Sequence, residues 1–226
     1  MNKETIHKNS EKIVYFVRHG ESVGNAAGVF QTHEGGLSAV GQEQARALAE
    51  RFRHILVDFI MASSMPRAKE TTHAIHEAIQ KPIEFSDLLV EVRRPSEVQG
   101  KSINDEGGIH MRKKFRIEDH EPTWRYSDEE NFTDRIERAH KVIDLLLGRP
   151  EKNIVVVSHG TFIRTVLARM ALGNSMTPAE YVKFLLFFHK FNTGISVCNY
   201  AKDDFGEFRW KLMHWNDVAH LGIIHT

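Results

Sequence analysis

The sequence predicts an α/β fold: a three-layer α/β/α sandwich on a mainly parallel central sheet, with an inserted lid segment. Three observations carry this. Continuous apolar runs of strand length recur at 13–17, 59–62 and 154–157. Segments with helical apolar spacing separate them. Residues with useful chemistry follow each run directly. Unbroken apolar strands are buried on both faces, as in parallel sheets, and strand–helix alternation builds such sheets.

The elements follow in order. Ile13-Val14-Tyr15-Phe16-Val17 is the first strand. Ser38 is placed to cap a helix over about 40–54, with Ala45, Leu48, Ala49 and Phe52 on one face. Phe59-Ile60-Met61-Ala62 is the next strand, and a helix begins at Pro66, a favourable first-turn residue, and runs to Ile79. Residues 129–147 place Phe132, Ile136, Ala139, Val142, Ile143 and Leu146 on one helical face. Ile154-Val155-Val156-Val157 is the strongest strand, and another helix follows Gly160.

Two regions break the alternation. Residues 92–128 are charged and poor in apolar anchors, which reads as an insertion or lid. Residues 184–213 read as strands: Phe184 to Phe191, Ile195 to Tyr200 and Phe208 to Met213, with Asp203-Asp204-Phe205-Gly206 as a turn.

Composition narrows the function. The 226 residues carry 30 Lys plus Arg against 30 Asp plus Glu, a formal net charge of zero. That balance argues against nucleic acid or an anionic membrane surface as partner. One cysteine, Cys198, excludes an internal disulfide and reads as a small buried hydrophobe. Residues 1–11 are polar and aperiodic, a disordered tail before a single domain over 12–226, and no leader or membrane span is expected. The expected location is the cytoplasm; the oligomeric state is open.

The chemistry lies at the strand ends. Arg18-His19-Gly20-Glu21-Ser22 follows the first strand, and Ser158-His159-Gly160-Thr161 follows the run 154–157. Ligands in open α/β sheets bind at the carboxyl ends of strands, so two strands deliver a histidine to the expected edge. A lone histidine is as often a core or capping residue; two His-Gly pairs in equivalent places are harder to explain that way. Arg67 sits in a first helical turn, where its charge opposes the helix dipole unless an anion binds there. A solvated arginine is the plainer alternative. Glu91 follows Leu88-Leu89-Val90, an apolar setting that would raise its pKa as a general acid requires; an ordinary surface glutamate is the alternative. His73 and His76 lie three apart on a helix, but nothing with metal-ligand spacing joins them, so no metal site is expected.

Taken together, "FVRHGES" with Asn25, "LSAVGQEQA" (37–45), "SSMPRAKETT" (63–72), Glu91, "VVSHGTFIR" (156–164) and "WNDVAHL" (215–221) resemble the histidine phosphatase superfamily, which includes cofactor-dependent phosphoglycerate mutases. The resemblance implies that His19 attacks phosphorus and becomes phosphohistidine, splitting one displacement into two. It implies that Arg18, Arg67 and His159 bind the phosphoryl oxygens, and that Glu91 protonates the leaving oxygen and then activates water. Asn25 would add a neutral donor, and Ser22, Gly160 and Thr161 would line the substrate site. Neither metal nor organic cofactor is implied, since the arginines supply the positive charge. The substrate is then a small phosphorylated metabolite or other phosphoester.

Phosphatase and mutase are separated by one feature. The mutase pattern places a tyrosine and a glycine shortly after the general acid, whereas Glu91 is followed by Val92-Arg93-Arg94-Pro95. This favours a hydrolase. Gly100-Lys101 and Arg112-Lys113-Lys114 keep a mutase-type phosphotransferase as the alternative, beside a non-catalytic phospholigand-binding module. Arg93 and Arg94 suggest a second anionic group on the substrate.

Overall fold

A computed structural model describes residues 10–114 and 121–222. Its strands are β1 (Lys12–Arg18), β2 (Phe59–Ser63), β3 (Ile83–Ser86), β4 (Asn153–Ser158), β5 (Ile195–Lys202) and β6 (Phe208–Asp217). They form one six-stranded sheet in the order β3-β2-β4-β1-β5-β6. The first four in that order are mutually parallel; β5 and β6 add on antiparallel. The sheet is therefore mainly parallel, as expected.

The helices are α1 (Val23–Ala26), α2 (Ala39–Phe52), α3 (Pro66–Ile79), α4 (Glu106–Lys114), α5 (Phe132–Gly148), α6 (Gly160–Leu172) and α7 (Pro178–Phe187). Because side chains alternate along a strand, each central strand feeds two cores. Val14, Phe16, Ile154 and Val156 meet Val142, Leu146, Phe162 and Val166 of α5 and α6. Val17, Ile60, Val155 and Val157 meet Leu48, Phe52, Ala68 and Ile75 of α2 and α3. Each of these buried Val, Leu, Ile and Phe side chains contributes about 1.5–3 kcal/mol. The unbroken apolar runs are the signature of strands covered on both faces.

Ser38 caps α2 by accepting from Gly41 N, and Pro66 opens α3. The strands over 195–200 and 208–213 and the turn between them match β5, β6 and their hairpin. Cys198 is buried in β5, and burial pushes its thiol up to about 12. No helix among the described residues is long and apolar enough to cross a membrane.

Three expectations need correction or completion. The strand expected over Phe184 to Phe191 is instead the second half of α7 and the loop after it. Thr177 caps α7 reciprocally with Glu180, and Pro178 occupies its first turn, so the start signals were present upstream of the apolar run. β3 was not anticipated, because its half-exposed Ile83–Ser86 has no continuous apolar run. The tail expected over 1–11 lies outside the described residues except for Ser10 and Glu11, as does 115–120 of the insertion. The described part of the insertion holds a 3-10 turn, Ser96–Val98, and α4; Val98 packs on Phe30, and Ser102 bridges to Val29.

Candidate active site

The parallel register pairs Arg18 with Ser158 at the carboxyl ends of β1 and β4. The residues just beyond, His19 and His159, become neighbours, with ring centroids 4.9 Å apart. β2 lies on the other side of β4, and its last residue, Ser63, meets His159: Oγ and Nε2 are 2.8 Å apart. Helix α3 then starts three residues on and brings in Arg67, which is 2% exposed. Three strand ends thus converge on one place, over a cavity of about 580 Å³.

His19 is buried, and its Nδ1 lies 2.6 Å from Gly20 O. A carbonyl only accepts, so Nδ1 carries the proton, and the neutral ring keeps its lone pair on Nε2. Burial, then His159, Arg18 and Arg67, hold the ring well below the usual histidine range; the Gly20 carbonyl opposes this only partly. His159 is lowered likewise by burial, Arg67 and Arg18. Both rings are neutral at pH 7.

Arg18 donates from Nη1 to Lys190 O at 2.6 Å, and Arg67 from Nη1 to Thr32 O at 3.2 Å. Yet Arg18 Nε, Arg67 Nε and His159 Nδ1 are buried without a hydrogen-bond partner. Ser63 Oγ accepts from Met65 N and pairs with His159 Nε2; where the hydroxyl donates to that nitrogen, the ring proton stands on Nδ1. Three cationic or donor groups at one spot lack acceptors, and each buried unsatisfied donor costs about 1–3 kcal/mol. An anion is the species that would supply acceptors to all three.

Glu91 follows a 3-10 turn, Asp87–Leu89, and its carboxylate accepts from Thr161 N at 3.1 Å, Phe162 N at 2.9 Å and Val92 N at 2.8 Å. It therefore sits on the N-terminus of α6, where the helix dipole favours negative charge. The raised pKa expected from its apolar neighbours is not found. Burial does push the carboxyl up, but the three backbone donors and Arg94 outweigh it and leave it below the usual glutamate value.

The loop that carries His19 is fixed from several sides. Thr71 of α3 accepts from Gly20 N at 3.0 Å, and Asn192 donates to His19 O at 2.9 Å. Glu21 O accepts from Ser38 N, and a Cβ on Gly41 would fall 1.9 Å from that oxygen. Gly41→Ala is accordingly expected to destabilise the fold by about 1–3 kcal/mol, with a lowered thermal midpoint in a melting scan. An unchanged midpoint would mean that the loop does not rest on α2 as described.

The other anticipated positions divide. Asn25 and Thr161 line the cavity, as does Gly160, where a side chain would press on Arg18 Nε at 3.3 Å. Asn25 Oδ1 accepts from Ser22 N, leaving its NH2 end for the cavity side. Ser22 does not reach the cavity: it is fully buried and caps α1 by accepting from Asn25 N. Its expected substrate contact is corrected to a structural one. Arg93 is exposed at the rim, donating from Nε to Asp128 O at 2.7 Å; Arg94 is half-buried in the wall.

Sequence reasoning missed several members. Arg138 grips Glu130 with two 2.7 Å bonds and donates to Leu88 O and Val90 O, bracing the turn before Glu91. Arg164 donates to Gly160 O and Leu185 O. Lys190 is buried beneath Arg18 and donates to Gly194 O and Ser196 Oγ. Its ammonium is held well below the usual lysine range by burial and Arg18. Only the Arg164 in "VVSHGTFIR" carried a signal. No cluster of three or more His, Cys, Asp or Glu among the described residues is arranged to hold a metal; His76 Nδ1 instead meets Lys81 O.

The family model of the histidine phosphatase superfamily (branch 1) matches residues 14–218. The chain belongs to the histidine phosphatase superfamily.

Similar superfamily members carry both kinds of name. A probable phosphatase of Schizosaccharomyces pombe is 29% identical over 184 residues, 77% of this chain and 62% of that protein. A probable phosphoglycerate mutase of Salmonella arizonae is 26% identical over 226 residues, covering 92% of this chain and 94% of its own. Among solved structures, a phosphoserine phosphatase variant of Entamoeba histolytica with phosphoserine superimposes with a TM-score of 0.74 at 24% identity, over 93% of this chain and 99% of that one. That last likeness speaks to the superfamily fold alone.

Proposed function

We propose that the protein is a metal-independent phosphomonoester hydrolase working through a phosphohistidine on His19. One observation supports this above the rest: His19 presents a neutral Nε2 at a cavity lined by Arg18 and Arg67, whose buried guanidinium Nε atoms both lack an acceptor. In this reading the phosphoryl oxygens accept from Arg18, Arg67, His159 and Asn25, and Nε2 attacks phosphorus in line. Positioning and charge stabilisation are most of what phosphoryl transfer needs. Glu91, protonated, delivers a proton to the leaving oxygen; as carboxylate it then takes one from the water that attacks the phosphohistidine. Gly160 and Thr161 form the adjacent wall, and Val92, Arg93, Arg94, Gln99, Ile103 and Arg112 of the insertion supply the part of the wall that sets specificity.

The S. pombe and S. arizonae relatives bear phosphatase and mutase names respectively, and the missing tyrosine after Glu91 favours the hydrolase. The test is p-nitrophenyl phosphate turnover in EDTA, with the enzyme quenched in the steady state and examined for acid-labile phosphate on histidine by 31P NMR. Turnover in EDTA with phosphohistidine supports the proposal. A phosphoenzyme stable to water but discharged by phosphoglycerate would make it a mutase. Turnover lost in EDTA, or neither turnover nor phosphoenzyme, would refute the proposal.

The pH profile follows from the two shifts. A lowered His19 stays neutral down to well below pH 6.5, so the acid limb of kcat/KM moves to low pH. A lowered Glu91 loses its proton early, so the alkaline limb moves down too. The expected kcat/KM optimum lies below about pH 6, while the kcat optimum lies higher, because a bound phosphate dianion raises the Glu91 pKa. A kcat/KM optimum above about pH 7 would contradict these roles.

A further inference from the structure

The segment between α7 and β5 passes beside the site and bonds to it repeatedly. Lys190 O accepts from Arg18 Nη1 at 2.6 Å, and Thr193 N donates to Arg18 O at 2.9 Å. Asn192 Nδ2 donates to His19 O at 2.9 Å and to Asn25 Oδ1 at 3.4 Å. The span 190–194 therefore touches Arg18, His19 and Asn25.

Its path is forced rather than relaxed. Thr193 has a φ of 55°, in the left-handed region that β-branched residues avoid. Such a conformation persists only where its surroundings over-determine it, and it gathers at functional sites. Thr193 Oγ1 donates to Asn192 O at 2.7 Å, so only its lone pairs are left for His220 Nε2, 3.0 Å away, which donates to it. Asn216 Oδ1 accepts from Phe191 N at 3.0 Å, and a Cβ on Gly194 would collide with that same oxygen. None of these holds uses the Asn192 side chain. The turn is built by its neighbours, and it carries that side chain to His19.

The Asn192 amide has one orientation open to it. His19 O only accepts, so the atom facing it is the nitrogen. Asn25 is fixed in the same way: Ser22 N donates to it, so the atom there is Oδ1. One NH2 group thus places its two protons on two members of the phosphoryl pocket, while Asn192 itself does not line the cavity.

One peptide passes this hold on to the His19 ring. The 19–20 peptide is gripped at both ends, its oxygen by Asn192 and its N–H by Thr71 Oγ1 at 3.0 Å. Thr193 N also reaches His19 O, but only at 3.4 Å. The next carbonyl, Gly20 O, is the acceptor that fixes the ring proton on Nδ1. A glycine between the two carbonyls has wide backbone freedom, so the direction of Gly20 O depends on how firmly that peptide is held.

We propose that Asn192 is a positioning residue of this site: its NH2 holds the 19–20 peptide so that Nε2 is the free nitrogen of His19, and holds Asn25 so that the Asn25 NH2 meets the phosphoryl group. This rests on the reading of His19 as nucleophile and Asn25 as phosphate ligand. Asn192 acts through those two residues and takes no part in bond breaking.

The test compares Asn192→Ala with the wild type by 15N NMR of the His19 ring, whose resonances are identified by their loss in His19→Ala. The wild-type ring is expected to show a protonated Nδ1 and a bare Nε2, and the Asn192→Ala ring a mixture of the two tautomers. The single-turnover rate of His19 phosphorylation at saturating p-nitrophenyl phosphate should fall by about ten- to hundredfold, the scale of a misplaced reacting group. Inorganic phosphate should bind about tenfold more weakly in Asn192→Ala and in Asn25→Ala. The double variant should bind no more weakly than either, since one residue acts through the other. A packing role alone would move the melting midpoint and leave the tautomer unchanged.

A wild-type tautomer or phosphorylation rate in Asn192→Ala, or phosphate losses that add in the double variant, overturns the inference and leaves the hydrolase reading intact. Should Asn192→Ala not fold, Asn192→Asp keeps the shape and exchanges the donor for an acceptor. A tautomer mixture with slowed phosphorylation in that variant supports the inference, and an unchanged rate overturns it. If the wild type turns over no ester, the hydrolase reading fails, and the His19 tautomer with and without the Asn192 amide decides the positioning role alone.

Discussion

His19→Ala is expected to lower kcat/KM for p-nitrophenyl phosphate by at least about 10⁴-fold, the scale seen when a covalent nucleophile is removed, and to abolish phosphohistidine. The size follows from the geometry. Nδ1 is committed to Gly20 O, so Nε2 is the one nitrogen of this ring with a lone pair to give. His159, the nearest ring, has its Nε2 engaged with Ser63 Oγ and cannot take over without breaking that bond. The cationic pocket itself is not removed, so His19→Ala should still bind inorganic phosphate or vanadate. Steady-state assay with an alkaline quench, which preserves phosphohistidine, checks the first part and equilibrium binding the second. Activity within about tenfold of wild type would exclude His19 as nucleophile.

Glu91→Gln has a different signature. For an alkyl phosphate, where the leaving oxygen needs a proton, kcat should fall by about 10²–10⁴-fold. For p-nitrophenyl phosphate the leaving group departs as a stable anion, so phosphorylation of His19 should be little changed. Water attack on the phosphohistidine also depends on Glu91, so the second step should stall. The expected record is a burst of nitrophenol approaching one equivalent per site, then slow turnover, with phosphohistidine accumulating. Thr161 N and Phe162 N of α6 now bond different oxygens of Glu91, so the amide keeps an acceptor for only one of them. A melting scan tells chemistry from damage to that helix. Equal loss on both esters without a burst would remove Glu91 from both proton-transfer roles.

Much of the architecture was legible because the strands obey a simple rule. A strand buried on both faces must be apolar along its middle, and β1 (13–17), β2 (59–62) and β4 (154–157) are. Their ends were legible too: parallel strands place their carboxyl ends on one edge, so Arg18-His19, Arg67 and His159 could be assigned to one site before any distance was known. Local pattern failed where burial did not set the composition. β3 lies at the sheet edge and is half exposed, so it has no apolar run. The second half of α7 is apolar on several faces, with Leu186 and Phe187 exposed, so its residues show no helical period and read as a strand.

By itself, then, the sequence determined the fold class, the two His-Gly strand ends and the arginine at the start of α3, because these depend on short stretches of chain and on which edge of a sheet they reach. Charge and partnership were decided only in three dimensions. Glu91 reads as an acid in an apolar setting until Thr161 and Phe162, 70 and 71 residues away, aim their N–H groups at it and reverse its shift. Ser22 reads as a substrate contact until its hydroxyl is seen to cap α1. Arg93 and Arg94 read as equals until one is found exposed and bonded to Asp128 O and the other half-buried, though both line the cavity. A pKa or a free donor belongs to whatever surrounds a group in space, and those surroundings come from parts of the chain that sequence spacing does not join.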